Sequence, residues 1–210
     1  MNDMKLRKEN LLFVVSGLLW VTMVGVGLGI VWRYENTPGV AAAPARFWPA
    51  ESGLQRPPGT ATIVMLAHPH CPCTRASIGE LALLMAGCQG RVQAQVLFIQ
   101  PDGFSDEWGQ TDLWRSAAAI PGVRVSLDAG GIEARRFHAQ TSGQVLLYDA
   151  AGQLLFSGGI TGSRGHSGDN AGRDAIVSLL TRGAAERDQA LVFGCSLFEE
   201  RCRGEKEEVK

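Results

Sequence analysis

Leu11 to Trp32 is a run of 22 residues without one charged side chain. Wound as a helix at about 1.5 Å per residue it spans about 33 Å, enough to cross the hydrocarbon of a bilayer. That segment divides the chain into a short leader (1–10), a transmembrane helix (11–32) and a folded remainder. Lys5, Arg7 and Lys8 precede it, while Arg33 is followed by a sparsely charged stretch, so the positive-inside bias puts the leader in the cytoplasm. Trp32 and Tyr34 stand where interfacial aromatics belong. A cleaved signal peptide is the competing reading, because Ala41-Ala42-Ala43 resembles a small-residue cleavage site. A signal's apolar region runs only about 7–15 residues, however, and the alanines lie well past the end of this one. On either reading the rest of the chain lies outside the cytoplasm. Gly25 and Gly29 form a G-x-x-x-G spacing, a weak sign of helix pairing.

In a chain of 210 residues the remainder fits one ordinary domain with appendages. Lys and Arg total 20 against 21 Asp and Glu, so there is no broad positive footprint and nucleic acid is not an expected partner. The 26 glycines follow no fixed period, which excludes collagen and repeat architectures. Five cysteines are too few for a disulfide-built scaffold, and the odd number leaves at least one thiol free or paired outside the chain. Residues 33–59, with prolines at 38, 44, 49, 57 and 58, read as a semi-rigid tether, with Phe47 and Trp48 expected to pack on the domain.

From Thr60 to Arg182 the pattern alternates. Ala61–Ala67, Val92–Ile99 and Val123–Leu127 read as strands, and Thr74–Gly87, Thr111–Ile120 and Ile132–His138 as helices between and after them. Val145–Tyr148 and Leu154–Phe156 flank the turn residues Asp149 to Gly152 and read as a hairpin. Asp169–Arg182 is the last helix, with Asp169 its expected N-cap. The order β-α-β-α-β-α-β-β-α predicts an α/β fold with helices on both faces of a largely parallel sheet, to which the hairpin adds antiparallel strands.

The chemistry centres on His68-Pro69-His70-Cys71-Pro72-Cys73, where the first strand ends and the first helix of the domain begins. Unpaired N–H groups and partial positive charge at a helix N-terminus stabilise a thiolate, the species that attacks a disulfide. The two histidines add charge when protonated. Arg75, in the first turn, reads as a solvent-facing side chain, and His138 has no partner that the sequence names. Cys71 and Cys73 are two residues apart, near or beyond the Cα separation a relaxed disulfide accepts, so a bond between them would be strained and easily reduced. Cys88 lies about 22 Å along the helix and reads as a small buried apolar group. Cys195 is different: thirteen residues after Arg182 span up to about 40 Å, ample to return to the active edge. Cys195 is therefore a candidate resolving cysteine, with pairing to Cys202 as the equal alternative. Residues 183–210 form a C-terminal extension whose end, from Gly204, reads as solvated. His68, His70, Cys71 and Cys73, with His166, also offer soft ligands suited to copper or zinc, two of them binding with a distant residue. No cofactor is expected otherwise.

The order of elements, with cysteines straight after the first strand, resembles the thioredoxin superfamily, and more closely its membrane-tethered TlpA and ResA-type branch, over Gln55 to Arg182. The segments H-P-H-C-P-C-T-R-A-S and G-G-I-T-G-S-R-G-H-S-G-D-N also resemble the bacterial RedB-like group. The resemblance implies a thioredoxin-like fold and a thiol-disulfide oxidoreductase in which Cys71 or Cys73 attacks a partner disulfide, the family's rule favouring Cys71. It implies protein thiols or disulfides as partners, with membrane lipid around the anchor. The location it implies is a bacterial inner membrane, crossed once, with the domain periplasmic. A thioredoxin-fold scaffold that only binds partners is the remaining alternative. The chain departs from the family in two ways. A single Pro72 separates the cysteines where the family has Cys-x-x-Cys, and Thr141-Ser142 stands at the family's cis-proline position, which puts family-type substrate binding in doubt. In such sheets the hairpin's second strand returns to the active edge, so the loop Thr161 to Asn170 should emerge beside Cys71 and Cys73. Arg164 and His166 then become candidates for positioning a substrate anion or tuning the thiols.

Overall fold

A computed structural model describes residues 2–41 and 43–198; Ala42, Cys202 and the tail from Gly204 lie outside the described residues. The chain divides into two compact units, one up to Thr37 and one from Pro38 onward. The first is a single helix, α1 (Asn2–Glu35), whose apolar window has none of its side chains buried. A helix that is apolar all round and uncovered by protein is suited to lipid.

The second unit is built on a five-stranded mixed sheet in the order β3-β2-β1-β4-β5. Its strands are β1 (Ala61–Ala67), β2 (Val92–Gln100), β3 (Val123–Ala129), β4 (Gln144–Tyr148) and β5 (Leu154–Gly158). β1, β2 and β3 run parallel, while β4 is antiparallel to both β1 and β5. The helices are α2 (Pro72–Gly87), α3 (Asp106–Gly109), α4 (Asp112–Ala118), α5 (Ile132–Arg136) and α6 (Ala171–Arg182). The expected α/β order is therefore present, and the fold is thioredoxin-like. One element, the four-residue α3, is additional.

Both faces of the sheet are covered, which is why the central strands hold consecutive apolar runs, Ile63–Ala67 in β1 and Val96–Ile99 in β2, rather than alternating ones. Ile63, Met65 and Ala67 of β1 point into a core with Ile78, Leu81 and Leu84 of α2 and Ile176 of α6. Val64 and Leu66, one residue out of phase, point into a second core with Ala134, Phe137 and Tyr148. α5 is too short to cover that second face, and this explains the largest departure from the expected organisation. Residues 38–59 are not a free tether but part of the domain. Trp48 packs edge-on against Phe137 and Tyr148, at ring centroids of 5.1 and 5.3 Å. The Tyr148 hydroxyl donates to the Ala45 carbonyl at 2.8 Å, and the Gly39 amide to the Val192 carbonyl at 2.8 Å. Phe47, expected to pack, is instead exposed. The C-terminal extension is folded on as well: Gln189 bridges Ser157 of β5, and a Cβ at Gly158 would collide with the Ala190 backbone. At α6 the N-cap is Asn170, not Asp169; its side chain accepts the Arg173 amide at 2.8 Å.

Candidate functional site

β1 ends at Ala67, and α2 begins five residues later with Pro72 at its first position, where a missing N–H costs nothing. Cys71 is thereby the N-cap residue of α2, in extended backbone conformation (φ −87°, ψ 114°). Its side chain occupies the place where an N-cap oxygen normally accepts the helix's unpaired N–H groups. It is only 1% exposed, because Cys195 covers it: the two sulfurs are 3.1 Å apart, and both cysteines are reduced. The extension that begins after α6 thus returns to the start of α2, as its length allowed.

The protons around Cys71 form a directed chain. The His68 amide donates to Ser142 Oγ at 2.8 Å, and Ser142 Oγ lies 2.7 Å from Thr74 Oγ1. The Thr74 hydroxyl faces the Cys71 sulfur, as does its backbone N–H. The Cys195 thiol, followed by these Thr74 groups, holds the Cys71 thiol down from its usual 9 to about 4 against the opposing effect of burial. The same contact acts on Cys195 in the opposite sense, pushing its thiol far up, with burial and the charges of Cys71 and Cys73 adding to the rise. Cys73 is pushed up, first by burial and then by the neighbouring Cys71 charge, while the Arg164 guanidinium works the other way. One thiolate is therefore stabilised, on Cys71, and the other two sulfurs keep their protons.

Arg164 comes from the glycine-rich loop after β5, which emerges beside the cysteines as the topology required. It faces Cys73 and donates from Nη1 to the Gly194 carbonyl at 2.7 Å. That loop is tied to α2 by Glu80, a fully buried carboxylate that accepts the Gly168 amide at 2.7 Å and pairs with Arg173. His166, expected beside Arg164, is exposed and turned to the Arg164 carbonyl of its own loop. Thr141 is buried with its hydroxyl on the Val40 carbonyl, and no peptide bond among the described residues is cis. Its neighbour Ser142 does what the sequence did not announce: its amide donates to the Cys195 carbonyl at 2.8 Å while its hydroxyl serves the chain to Cys71.

The expected copper or zinc ligand set is not assembled. Among the described residues no three His, Cys, Asp or Glu side chains are grouped to hold a metal. His68 and His70 instead flank Trp108 of α3, at centroid distances of 5.5 and 4.7 Å, with His70 Nε2 at 3.1 Å from the Trp108 carbonyl. This unforeseen helix therefore diverts the histidine rings. Arg75 pairs with Asp112 at the surface, His138 Nδ1 meets the Ala43 carbonyl, and Cys88 is buried at the C-terminal end of α2, as expected of an apolar filler.

The sheet order, the antiparallel closing hairpin and a cysteine capping the helix after the first strand define the thioredoxin-like class of fold. No protein-family model and no curated protein matches the sequence. Among solved structures the chain is similar to an uncharacterised conserved protein from Geobacillus kaustophilus, at 18% identity and a TM-score of 0.56, covering 80% of this chain and 95% of that one. It is also similar to a hypothetical protein from Sinorhizobium meliloti 1021, at 19% identity and a TM-score of 0.54, covering 77% and 93%. A secreted disulfide oxidoreductase of Mycobacterium tuberculosis is more distant, at 14% identity and a TM-score of 0.42 over 60% of this chain and 83% of that one. Likeness at this level establishes the fold alone.

Proposed function

We propose that the chain is a membrane-anchored, extracytoplasmic thiol-disulfide oxidoreductase whose working couple is Cys71 with Cys195. The observation that carries the reading is the 3.1 Å approach of the Cys195 sulfur to a Cys71 sulfur seated at the N-terminus of α2. A disulfide between Cys71 and Cys73 would have to bend the first turn of α2, whereas Cys195 already lies in reach. The Cys71 thiolate attacks one sulfur of a partner disulfide, and the partner's other sulfur leaves as a thiolate. The Cys195 thiol then attacks Cys71 in the mixed disulfide, its proton passing to a departing partner sulfur. The balance is one partner disulfide reduced to one thiol and one thiolate, which takes its proton from water, and one Cys71–Cys195 disulfide formed. Cys73 stays a thiol, and Arg164 positions the segment that carries Cys195.

The 22-residue uncharged stretch and its basic leader support a single-pass anchor in a bacterial inner membrane, leader inside and domain in the periplasm. Within the superfamily the reading is the TlpA and ResA-type branch, with the RedB-like group as its narrowest form. The test is a Cys195→Ala variant of the full chain in detergent, offered a protein disulfide. It should accumulate a mixed disulfide at Cys71, and the wild type should instead yield a Cys71–Cys195 peptide by mass spectrometry before reduction. A wild type oxidised only between Cys71 and Cys73, or not oxidised at all, would overturn the reading.

A further inference from the structure

Gln144 and Ser157 are polar side chains buried on the second face of the sheet with bonding capacity left over. Ser157 is paired with Leu146, whose side chain points into the second core, and Gln144 lies two residues before Leu146, so all three share that face. The Gln144 side-chain carbonyl accepts the Gln140 amide at 3.3 Å, which fixes the amide group and leaves Nε2 without an acceptor among the described residues. Ser157 commits both backbone groups to the C-terminal extension, its amide to the Asp188 carbonyl at 2.9 Å and its carbonyl to the Ala190 amide at 3.2 Å. Its hydroxyl has no partner among the described residues. The two residues are 2% and 8% exposed, so an unmade bond at either costs more than it would at the surface.

Both open onto one cleft of about 410 Å³, bounded on one side by Pro38–Ala41 and Pro44 and on the other by Arg187 and Gln189–Val192. Among the described residues no acidic side chain lines it, while Arg187 brings a guanidinium that forms no ion pair. Val40 and Leu191 add apolar walls that are more than half exposed. A cleft of that volume is the size of a small-molecule site. Donors gathered without a carboxylate select an anion, and one guanidinium with two neutral donors matches the single charge and two oxygens of a carboxylate. A phosphate dianion would be left short of positive charge.

We propose that this cleft binds a small carboxylate carrying an apolar chain, its oxygens on Arg187 and the Gln144 and Ser157 donors and its chain against Val40 and Leu191. The site does not depend on the exchange reading, but it is continuous with the cysteines. The Gly39 amide donates to the Val192 carbonyl at 2.8 Å, and the extension runs on to Gly194, where a Cβ would collide with the Ser142 carbonyl, and then to Cys195. An occupant that bridges Arg187 and Gln144 holds this strip against the sheet and steadies the Cys195 cover over Cys71.

The probe is pentanoate, titrated into the reduced full chain in detergent and read by saturation transfer from protein to ligand, with protein-free detergent as the blank. Binding should saturate. Pentanamide, which has the shape without the charge, and inorganic phosphate, which lacks the chain, should each bind at least about fivefold more weakly. Ser157→Ala and Arg187→Ala should each weaken pentanoate by about fivefold with the unliganded Tm unchanged, since neither side chain has a polar partner in the protein to lose. Absence of saturable binding, a control ligand that binds as tightly as pentanoate, or variants that bind it like the wild type would overturn the site. With pentanoate at about ten times its Kd, alkylation of Cys71 by iodoacetamide should slow about threefold or more in the wild type and not in Arg187→Ala, full linkage giving about tenfold. Binding without slowing, or equal slowing in both proteins, overturns the coupling to Cys195 and leaves the site standing.

Discussion

The two ends of α2 carry the same residue in opposite settings. Cys71 caps the N-terminus and Cys88 the C-terminus, and each is 1% exposed. Yet Cys71 is held down to about 4, while burial pushes Cys88 up even with Arg91 nearby to oppose it. Burial alone would have raised both. The difference lies in what faces the sulfur. At the N-terminus the Cys195 thiol, the Thr74 hydroxyl and the backbone N–H groups of Cys195 and Thr74 face the sulfur. At the C-terminus the neighbours are apolar side chains of the first core. A cysteine's reactivity is thus set by donors within hydrogen-bond reach, and a helix supplies them at one end only.

The widest separation expected between the two positions is in turnover. Cys71→Ser should reduce exchange with a protein disulfide to the uncatalysed level, because the proposed nucleophile is gone. Cys88→Ala should leave turnover unchanged and lower stability by about 1 kcal/mol, the ordinary cost of removing a small buried group. Steady-state assays and melting curves on the same preparations measure both. A Cys88→Ala protein that folds but has lost exchange would break the comparison.

Alkylation against pH sharpens it. At pH 6 a thiol titrating near 4 is wholly thiolate, while one at its usual 9 is about a thousandth ionised. The lower basicity of the Cys71 sulfur gives back about a hundredfold. Cover by Cys195 slows the absolute rate, so the expectation lies in the profile: iodoacetamide reactivity at Cys71 that is level from pH 8 to pH 6 and falls away only as pH drops towards 4. Cys88 should stay unmodified until the protein unfolds. A Cys71 profile with its midpoint near 9 would remove the role of the donors.

The same shift links stability to pH. Between about 4 and 9 the unfolded chain holds a proton at Cys71 that the reduced folded protein does not, so this group's stabilisation grows as pH rises through that window. It is complete above 9 and lost as pH falls to 4. Cys195, shifted upward, runs the other way: its contribution is complete below 9 and declines as pH climbs beyond it. The difference in Tm between reduced wild type and Cys71→Ala should therefore widen from pH 5 to pH 8, whereas the difference for Cys88→Ala should stay flat. A Cys71→Ala difference that narrows over that range would reverse the sign and the argument.

Cys71's place was legible because it depends on local rules: an apolar run that becomes a strand, a proline suited to a first helical position, and cysteines between them. The sheet was legible for the same reason, since Ile63–Ala67 of β1 is apolar on both faces and each face had to be covered, although only one of the two layers proved to be wholly helical. Ser142 and Gly194 were not legible, because their roles are backbone contacts between segments more than fifty residues apart, and such pairing leaves no periodicity. Trp108 sits on a four-residue helix, too short for any pattern to mark, and with it went the geometry of His68 and His70. Residues 38–59 misled through composition: prolines that suit a spacer equally suit an extended segment laid across a sheet face, and only Trp48 hinted at the second. Cys195 could be reached by chain length alone, but length permitted pairing with Cys202 just as well.

The smallest expected effects concern formal charge. Arg75 lies in the first turn of α2, four residues from Cys71, but its guanidinium is drawn away to Asp112 at the surface. Arg91 lies three residues after Cys88 and opposes the upward push on that thiol. If donors rather than charges separate the two ends, Arg75→Ala leaves the Cys71 alkylation midpoint where it is, and Arg91→Ala moves Cys88, read in mild denaturant, slightly further up. An Arg75→Ala shift of the Cys71 midpoint would mean that a screened surface charge reaches the thiolate, and then salt should move it too, with the midpoint climbing as ionic strength rises. A midpoint indifferent to both the substitution and the salt leaves the short contacts to Cys195 and Thr74 as what distinguishes one end of the helix from the other.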